Sequence, residues 1–265
     1  MPLPEPTLEA AKAVFNLAEP TDRRPDQDEV FISAVKAEFP NVAARQYLTP
    51  ETSLAVPHLV VQSTASRVAV SGIGSEFDTQ FYGDYKTDTD RCFDYIGRKL
   101  RSLLAGWEAL GVVPSFLGLV VVAHFSFGDE DEAPTRYLLD RHVRTNADPE
   151  QVQDTSVRIG LRYDDRNFIT LTLSNYELKA FERAVFPGRQ VIQIRPWEGT
   201  VEDAGVELSV DINNRLEAIV NERDPEVREP EIQSILELSK RVIGRSRAFV
   251  DTGDLDVAAL AVDET

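Results

Sequence analysis

The segment from Asp88 to Leu110 constrains the fold more than any other part of the chain, because its pattern is that of one long amphipathic helix. Large apolar residues recur there at spacings of three and four: Phe93, Ile96, Leu100, Leu103, Leu104, Trp107 and Leu110. Thr87, Asp88 or Thr89 can cap its start, and Gly111 can adopt the left-handed conformation that ends it. The apolar stripe is wide, so we expect this helix to lie on a β-sheet.

A first β-rich block precedes this helix. Its strand candidates are Leu59–Ser63, Arg67–Ile73 and Asp78–Tyr82, with turns expected at Thr64–Ser66 and Gly74–Glu76. Val68 and Val70 alternate with smaller residues, which is the period of two expected of a half-buried strand.

A second β-rich block begins with a hairpin. Val157, Ile159 and Leu161 alternate with polar or small residues, and so do Ile169, Leu171 and Leu173 beyond the turn residues Asp164–Asn167. A further strand is expected at Val206–Ile212, where Glu207, Ser209 and Asp211 point away from the apolar residues. An amphipathic helix from about Pro230 to Phe249 follows, with Pro230 in its first turn.

The remaining segments give weaker signals. We expect a helix over Asp26–Phe39, a buried strand over Leu117–Phe127, a short helix over Pro134–His142 and a strand over Val191–Arg195. Glu9–Leu17 is open to two assignments, because its alanines favour a helix whereas Ala13, Val14 and Phe15 also suit a sheet.

The order of these elements predicts an α+β fold, with antiparallel sheets backed by long amphipathic helices. Strands followed by a long helix occur twice, so we predict two pseudo-repeated strand-plus-helix halves, 1–147 and 148–265. The halves share no obvious sequence identity, and either form separate domains or one compact unit.

The net charge limits the kinds of partner. The chain carries −17 at neutral pH, and residues 198–265 alone hold seventeen acidic and seven basic residues, a net charge of −10. Such a chain repels nucleic acids and anionic lipids, because both are bound mainly through lysine and arginine. A basic protein partner fits better. The single cysteine, Cys92, and the lack of a secretion signal or a long apolar run predict a cytoplasmic protein without a membrane segment.

Several segments loosely resemble, over most of the chain, a family of sporadically distributed bacterial proteins of about this length and of unknown function. The segments are Phe31–Pro40, Leu59–Ser63 with Arg67–Ser71, Phe81–Lys86, Val206–Asn213 and Ala248–Leu255. Arg162-Tyr163 matches the family's arginine-tyrosine strand, but Asp164 follows where the family often has asparagine. The resemblance implies a bacterial, cytosolic α+β protein and supplies no catalytic residue.

The sequence contains none of the common catalytic or cofactor-binding motifs. Gly72-Ile73-Gly74 lacks the third glycine of a dinucleotide site, and there is no P-loop and no nucleophile elbow. The three histidines lack metal-site spacing, and the run Asp129–Glu132 lacks the pattern of a calcium-binding loop. We therefore predict no catalytic residues, no metal and no cofactor.

Four residues are nevertheless candidates for binding. Arg158 and Arg162 project from one face of a strand beside Thr170 and Thr172, and form either a shallow anion site or pairs with the many carboxylates. His124 lies in an apolar strand, where it is either a satisfied core residue or a general base or ligand. Trp197 follows Arg195-Pro196, where it either packs internally or anchors a partner.

Three hypotheses about function follow. The first is a non-enzymatic cytosolic binding or regulatory protein that acts through protein–protein contact, with a toxin or defence effector among the candidate partners. The second is an enzyme or small-ligand sensor with a pocket between sheet and helices that involves His124 and Arg158 or Arg162. The third is a structural homo-oligomer joined through strand edges or the Trp197 region.

Overall fold

The computed structural model describes residues 3–21, 24–46, 49, 51–128, 133–143, 145, 148, 151–180, 199–216 and 226–254. Its strands are β1 (Thr7–Leu17), β2 (Asn41–Arg45), β3 (Leu59–Gln62), β4 (Ser66–Ser71), β5 (Gly74–Gln80), β6 (Pro114–Ser126), β7 (Ser156–Arg162), β8 (Phe168–Ala180) and β9 (Thr200–Asn213). Its helices are α1 (Pro25–Val35), a 3₁₀ helix (Gly83–Lys86), α2 (Thr89–Ala109), α3 (Pro134–His142) and α4 (Glu229–Thr252).

All nine strands form one antiparallel sheet in the order β2-β3-β4-β5-β1-β6-β9-β8-β7. The predicted α+β class is confirmed, with a single continuous sheet in place of separate sheets. β6 precedes the division predicted near residue 147 and pairs with β9, which follows it, so the sheet spans both predicted halves.

The helices pack against one face of the sheet. Leu119 of β6, Leu208 of β9 and Leu100 of α2 belong to the same cluster of fully buried side chains. Asp88 caps α2 by accepting a hydrogen bond from the Arg91 backbone N–H at 3.0 Å. Gly111 follows the helix with a φ of +71°, a value that favours glycine. These sequence predictions for α2 are confirmed.

We call the opposite face of the sheet, which the described residues leave free of helices, the open face. One row of paired residues crosses it from β2 to β7: Asn41, Gln62, Arg67, Asp78, Lys12, Val120, Asp211, Thr170 and Gly160. Neighbouring strands lie about 4.8 Å apart, so this row is about 40 Å long.

The ambiguous segment Glu9–Leu17 belongs to a central strand. β1 lies between β5 and β6 and pairs with both. Ala11 and Ala13 are 2% and 0% exposed because they face the helices. Their small side chains leave room for the helix layer, and this packing overrides the helical preference of alanine.

Several predicted boundaries move. The turn predicted at Gly74–Glu76 is wrong, because these residues begin β5 and pair with β1. The helix predicted over Asp26–Phe39 ends at Val35. β9 starts at Thr200, six residues before the predicted strand. The strand predicted at Val191–Arg195 lies outside the described residues.

The order of elements is similar in two parts of the sheet. β1 and β6 are central, the last strands β5 and β9 lie beside them, and α2 and α4 follow those strands. Gly74 pairs with Asn16, and Gly205 pairs with Ser126. A Cβ would lie 2.0 Å from the Phe15 carbonyl oxygen at Gly74 and 2.1 Å from the Phe125 carbonyl oxygen at Gly205. A repeated ancestral unit would give such an arrangement, and the pseudo-repeat stays a prediction.

Candidate functional site

The structure places the three described candidate residues on the open face. His124 lies on the central strand β6, whereas Arg158 and Arg162 lie on the edge strand β7. β9 and β8 stand between them, so about 14 Å of sheet separates His124 from the arginines. The three residues therefore share a face but not a site. Trp197 lies outside the described residues.

Both ring nitrogens of His124 face carboxylates. Nε2 lies 3.1 Å from Glu207 Oε2, and Nδ1 lies 3.9 Å from Glu9 Oε1. The ring stacks on Tyr176, with centroids 3.9 Å apart and planes inclined by 17°. Carboxylates and an aromatic ring therefore hold the His124 side chain in place on the open face.

Tyr176 continues this network towards the end of the strands. Its hydroxyl donates a hydrogen bond to Asp203 Oδ2 at 2.9 Å, and the Ser126 hydroxyl donates to the other oxygen of the same carboxylate. Burial, reinforced by Asp203, raises the pKa of Tyr176. The phenol therefore stays protonated and acts as a donor.

The acidic residues of β9 form a second feature of the open face. Asp203, Glu207 and Asp211 project from it, and in the part of the chain that the structure describes no lysine or arginine pairs with any of them. Hydroxyl groups of β8 lie beside them, since Thr170 and Ser174 pair with Asp211 and Glu207. We call this group of three β9 carboxylates the acidic strand. Their charges give this part of the open face a negative potential.

The two arginines of β7 have different surroundings. Arg162 pairs with Asp165, whose Oδ1 lies 2.5 Å from Nη2. Of the two alternatives that the sequence left open for this residue, the structure shows the pair with a carboxylate. Arg158 lies directly across from Thr172, as the predicted hairpin requires.

A shallow cavity of about 480 Å³ lies at the centre of the open face. Three half-buried residues form its apolar floor: Ala10, Val120 and Val122. The exposed side chain of Lys12 lies beside this floor. Lys12 pairs with Glu76 at 3.0 Å, and this hydrogen bond raises the pKa of Lys12. Tyr82, which is 63% exposed, and the β3–β4 turn form its wall. The centre of the face therefore combines apolar surface with an exposed tyrosine.

The sequence patterns did not identify Lys12, Tyr82 or Val120 as parts of one surface. The alternation in Val206–Ile212 did place Glu207 and Asp211 on a polar face, which is confirmed. Lys12, Tyr82 and Val120 come together because β1 pairs with β5 and β6. A single sequence does not indicate this pairing.

Cys92 is unsuited to nucleophilic chemistry. It is fully buried, and its thiol donates to the Tyr85 carbonyl oxygen at 2.6 Å. Burial raises the pKa of Cys92 to about 12. We expect the folded protein at pH 8 to react with a disulfide reagent roughly a thousandfold more slowly than the guanidinium-unfolded chain, because the thiolate is scarce and shielded. Stopped-flow absorbance measures both rates, and equal rates would contradict this burial.

The described residues form neither a metal site nor a membrane-spanning helix. No group of three or more histidine, cysteine, aspartate or glutamate side chains is placed to hold a metal ion, and no helix is long and apolar enough to cross a bilayer. No protein-family model matches the chain, and no curated protein is significantly similar to it.

Proposed function

We propose that this chain is a non-enzymatic binding protein that holds a basic protein partner on the open face of its sheet. The observation that carries the proposal is the one-sided packing of the sheet. Helices cover one face of the sheet, whereas the described chain places no helix on the other face.

The composition of the open face suits a protein partner. Its centre holds a small apolar patch, at Ala10, Val120 and Val122 beside Lys12, and polar and charged side chains surround this patch. Protein interfaces commonly have an apolar core and a polar rim, with tyrosine enriched among the residues that contribute most to affinity. Tyr82 stands at the edge of the apolar floor in such a position.

The acidic strand and the net charge of the chain favour a basic partner. Asp203, Glu207 and Asp211 line β9, and the whole chain carries −17. This charge attracts a basic protein from a distance and increases the rate of association. Two copies of the chain would bring their acidic strands together, so the same charge disfavours self-association through this face.

The enzyme or sensor hypothesis has less support. It requires His124 and Arg158 or Arg162 to line a pocket between sheet and helices, but these side chains project from the open face. Between the layers lie fully buried apolar side chains such as Leu119, Leu208 and Ile235.

The single cysteine suits work in a reducing cytoplasm, and the sequence resemblance favours a bacterial source with a toxin or effector as partner.

The test compares charge reversals on opposite sides of the sheet. Asp211→Lys changes the acidic strand, and Glu237→Lys makes the same charge change on the exposed side of α4. We expect wild type and Glu237→Lys to capture the same basic protein from extracts of the native host, and high salt to release it. With the purified pair, Asp211→Lys should weaken binding by at least about tenfold in calorimetry.

Each other outcome counts against the proposal. Equal affinities of wild type and Asp211→Lys for the purified partner would remove the open face from the interface. Failure to capture any salt-sensitive protein would argue against a basic partner. A dimer in light scattering that Asp211→Lys abolishes would assign the face to self-association.

A further inference from the structure

A second cavity, of about 590 Å³, lies beyond the β3–β4 turn. The first half of α2, the 3₁₀ helix, the residues that follow α1 and the β3–β4 turn line it. We call it the tyrosine cavity and define it by six of its lining residues: Gln80, Tyr82, Tyr85, Tyr95, Arg98 and Lys99. Its volume lies within the range of about 300–1,000 Å³ that small-molecule sites occupy.

The aromatic walls of this cavity are held in place by specific contacts. The rings of Tyr85 and Tyr95 meet edge to face, with centroids 5.6 Å apart. The Tyr95 hydroxyl is hydrogen-bonded to Ser66, which in turn donates to Thr79 Oγ1 at 3.1 Å. A ring fixed in this way offers a preorganised surface for a flat ligand, because little side-chain entropy remains to be lost.

Two cations face a single carboxylate in the cavity wall. The Lys99 side chain is 4% exposed, and its Nζ donates to the Glu38 carbonyl oxygen at 2.5 Å and lies 3.1 Å from Glu38 Oε2. Arg98 Nη1 lies 3.2 Å from Glu38 Oε1. The lining therefore carries one positive charge in excess, in a chain whose net charge is −17.

Arg98 is the group available to a ligand. Lys99 directs its donors at Glu38 and Ser63, whereas the Arg98 side chain is 55% exposed and uses one of its five N–H donors on Glu38. A guanidinium binds carboxylates and phosphates through paired hydrogen bonds. The guanidinium carbon of Arg98 lies over the Tyr95 ring, 5.8 Å from its centroid, so the two groups border the same part of the cavity.

We propose that the tyrosine cavity binds a small aromatic anion, with its ring against the tyrosines and its anionic group on Arg98. This site is distinct from the acidic strand and does not depend on the proposed partner. The two cavities share Gln80, Tyr82 and the β3–β4 turn, but Arg98 and Lys99 line only the second.

The test uses phenyl phosphate as the probe and separates its two parts. We expect saturable binding at one site per chain by calorimetry with a Kd below ~1 mM, and much weaker binding of phenol and of inorganic phosphate. Arg98→Gln should weaken phenyl phosphate binding by roughly tenfold, because a charged hydrogen-bond partner is lost. Arg136→Gln is the matched control, since Arg136 is an exposed helical arginine that pairs with Asp140.

Three results would overturn the proposal: no saturable binding of phenyl phosphate in this range, equal binding by Arg98→Gln and wild type, or equal binding of inorganic phosphate alone. Tyr82→Ala, at an exposed position, should also weaken binding without unfolding the chain. Asp211→Lys should leave phenyl phosphate binding unchanged, so the two proposals succeed or fail separately.

Discussion

Replacing Gly205 by valine is expected to remove at least about 3 kcal/mol of the free energy of unfolding, a large part of the 5–15 kcal/mol typical of proteins. A Cβ at this position would lie 2.1 Å from the carbonyl oxygen of Phe125. That oxygen belongs to the backbone of β6, so a side-chain rotation cannot relieve the overlap. The strands β6 and β9 must separate, and the hydrogen bonds between them must break. Urea unfolding followed by circular dichroism measures the loss.

The control for this substitution is Gly118→Ala in β6. An added Cβ there would meet the ring of Phe116 at 3.1 Å, and a half-buried ring can move. We expect a change below about 1 kcal/mol. If Gly205→Val unfolded at the wild-type urea concentration, the pairing of Gly205 with Ser126 would be incorrect.

Replacing Trp107 by alanine is expected to cost about 3–5 kcal/mol, because a large side chain leaves the core. Trp107 is 1% exposed, and its ring meets that of Phe31 edge to face with centroids 5.3 Å apart. Its Nε1 donates a hydrogen bond to Ser75 Oγ at 3.1 Å. Alanine removes both contacts between α2 and its neighbours and leaves a buried hydroxyl without this donor. Thermal and urea unfolding measure the effect.

Two further variants separate the causes of this loss. Trp107→Phe keeps an aromatic ring but cannot donate to Ser75, and we expect a loss of about 1–3 kcal/mol. Ser75→Ala removes the acceptor alone. Stability of Trp107→Ala within about 0.5 kcal/mol of wild type would show that α2 does not pack on the sheet through this residue.

Local sequence patterns predicted the helices and strands whose own residues show a clear hydrophobic period or capping residue. The spacing from Phe93 to Trp107 gave α2, with Asp88 and Gly111 at its ends, because apolar periodicity and capping act within a few residues. The alternation in β7 and β8 gave the hairpin and its register, since its turn joins strands that are adjacent in the chain.

Non-local packing decided the elements that these patterns missed. Ala11 and Ala13 favour a helix by themselves, but β1 is fixed by β5 and β6, more than fifty residues away in the chain. Gly74 resembles a turn residue, yet its close approach to Phe15 places it within a strand. Contacts of this kind depend on partners that a single sequence does not identify.

For the candidate sites, too, local sequence predicted some features and only the folded chain revealed the others. The composition predicted a negative charge and a basic partner, and the alternation in β9 placed Glu207 and Asp211 on a polar face. The tyrosine cavity has no sequence signature. Tyr82 follows β5, whereas Tyr95 and Arg98 belong to α2, and only the folded chain brings them together beside the β3–β4 turn.

The sequence by itself determined the α+β class, the long helices, the hairpin and the excess of negative charge, because hydrophobic period and charge are properties of neighbouring residues. Only the tertiary structure decided the order of the nine strands. That order leaves one face of the sheet open and brings an apolar floor, an acidic strand and a tyrosine-lined cavity into place. Strand order depends on pairings between distant segments, whose energies lie in contacts that exist only in the folded chain.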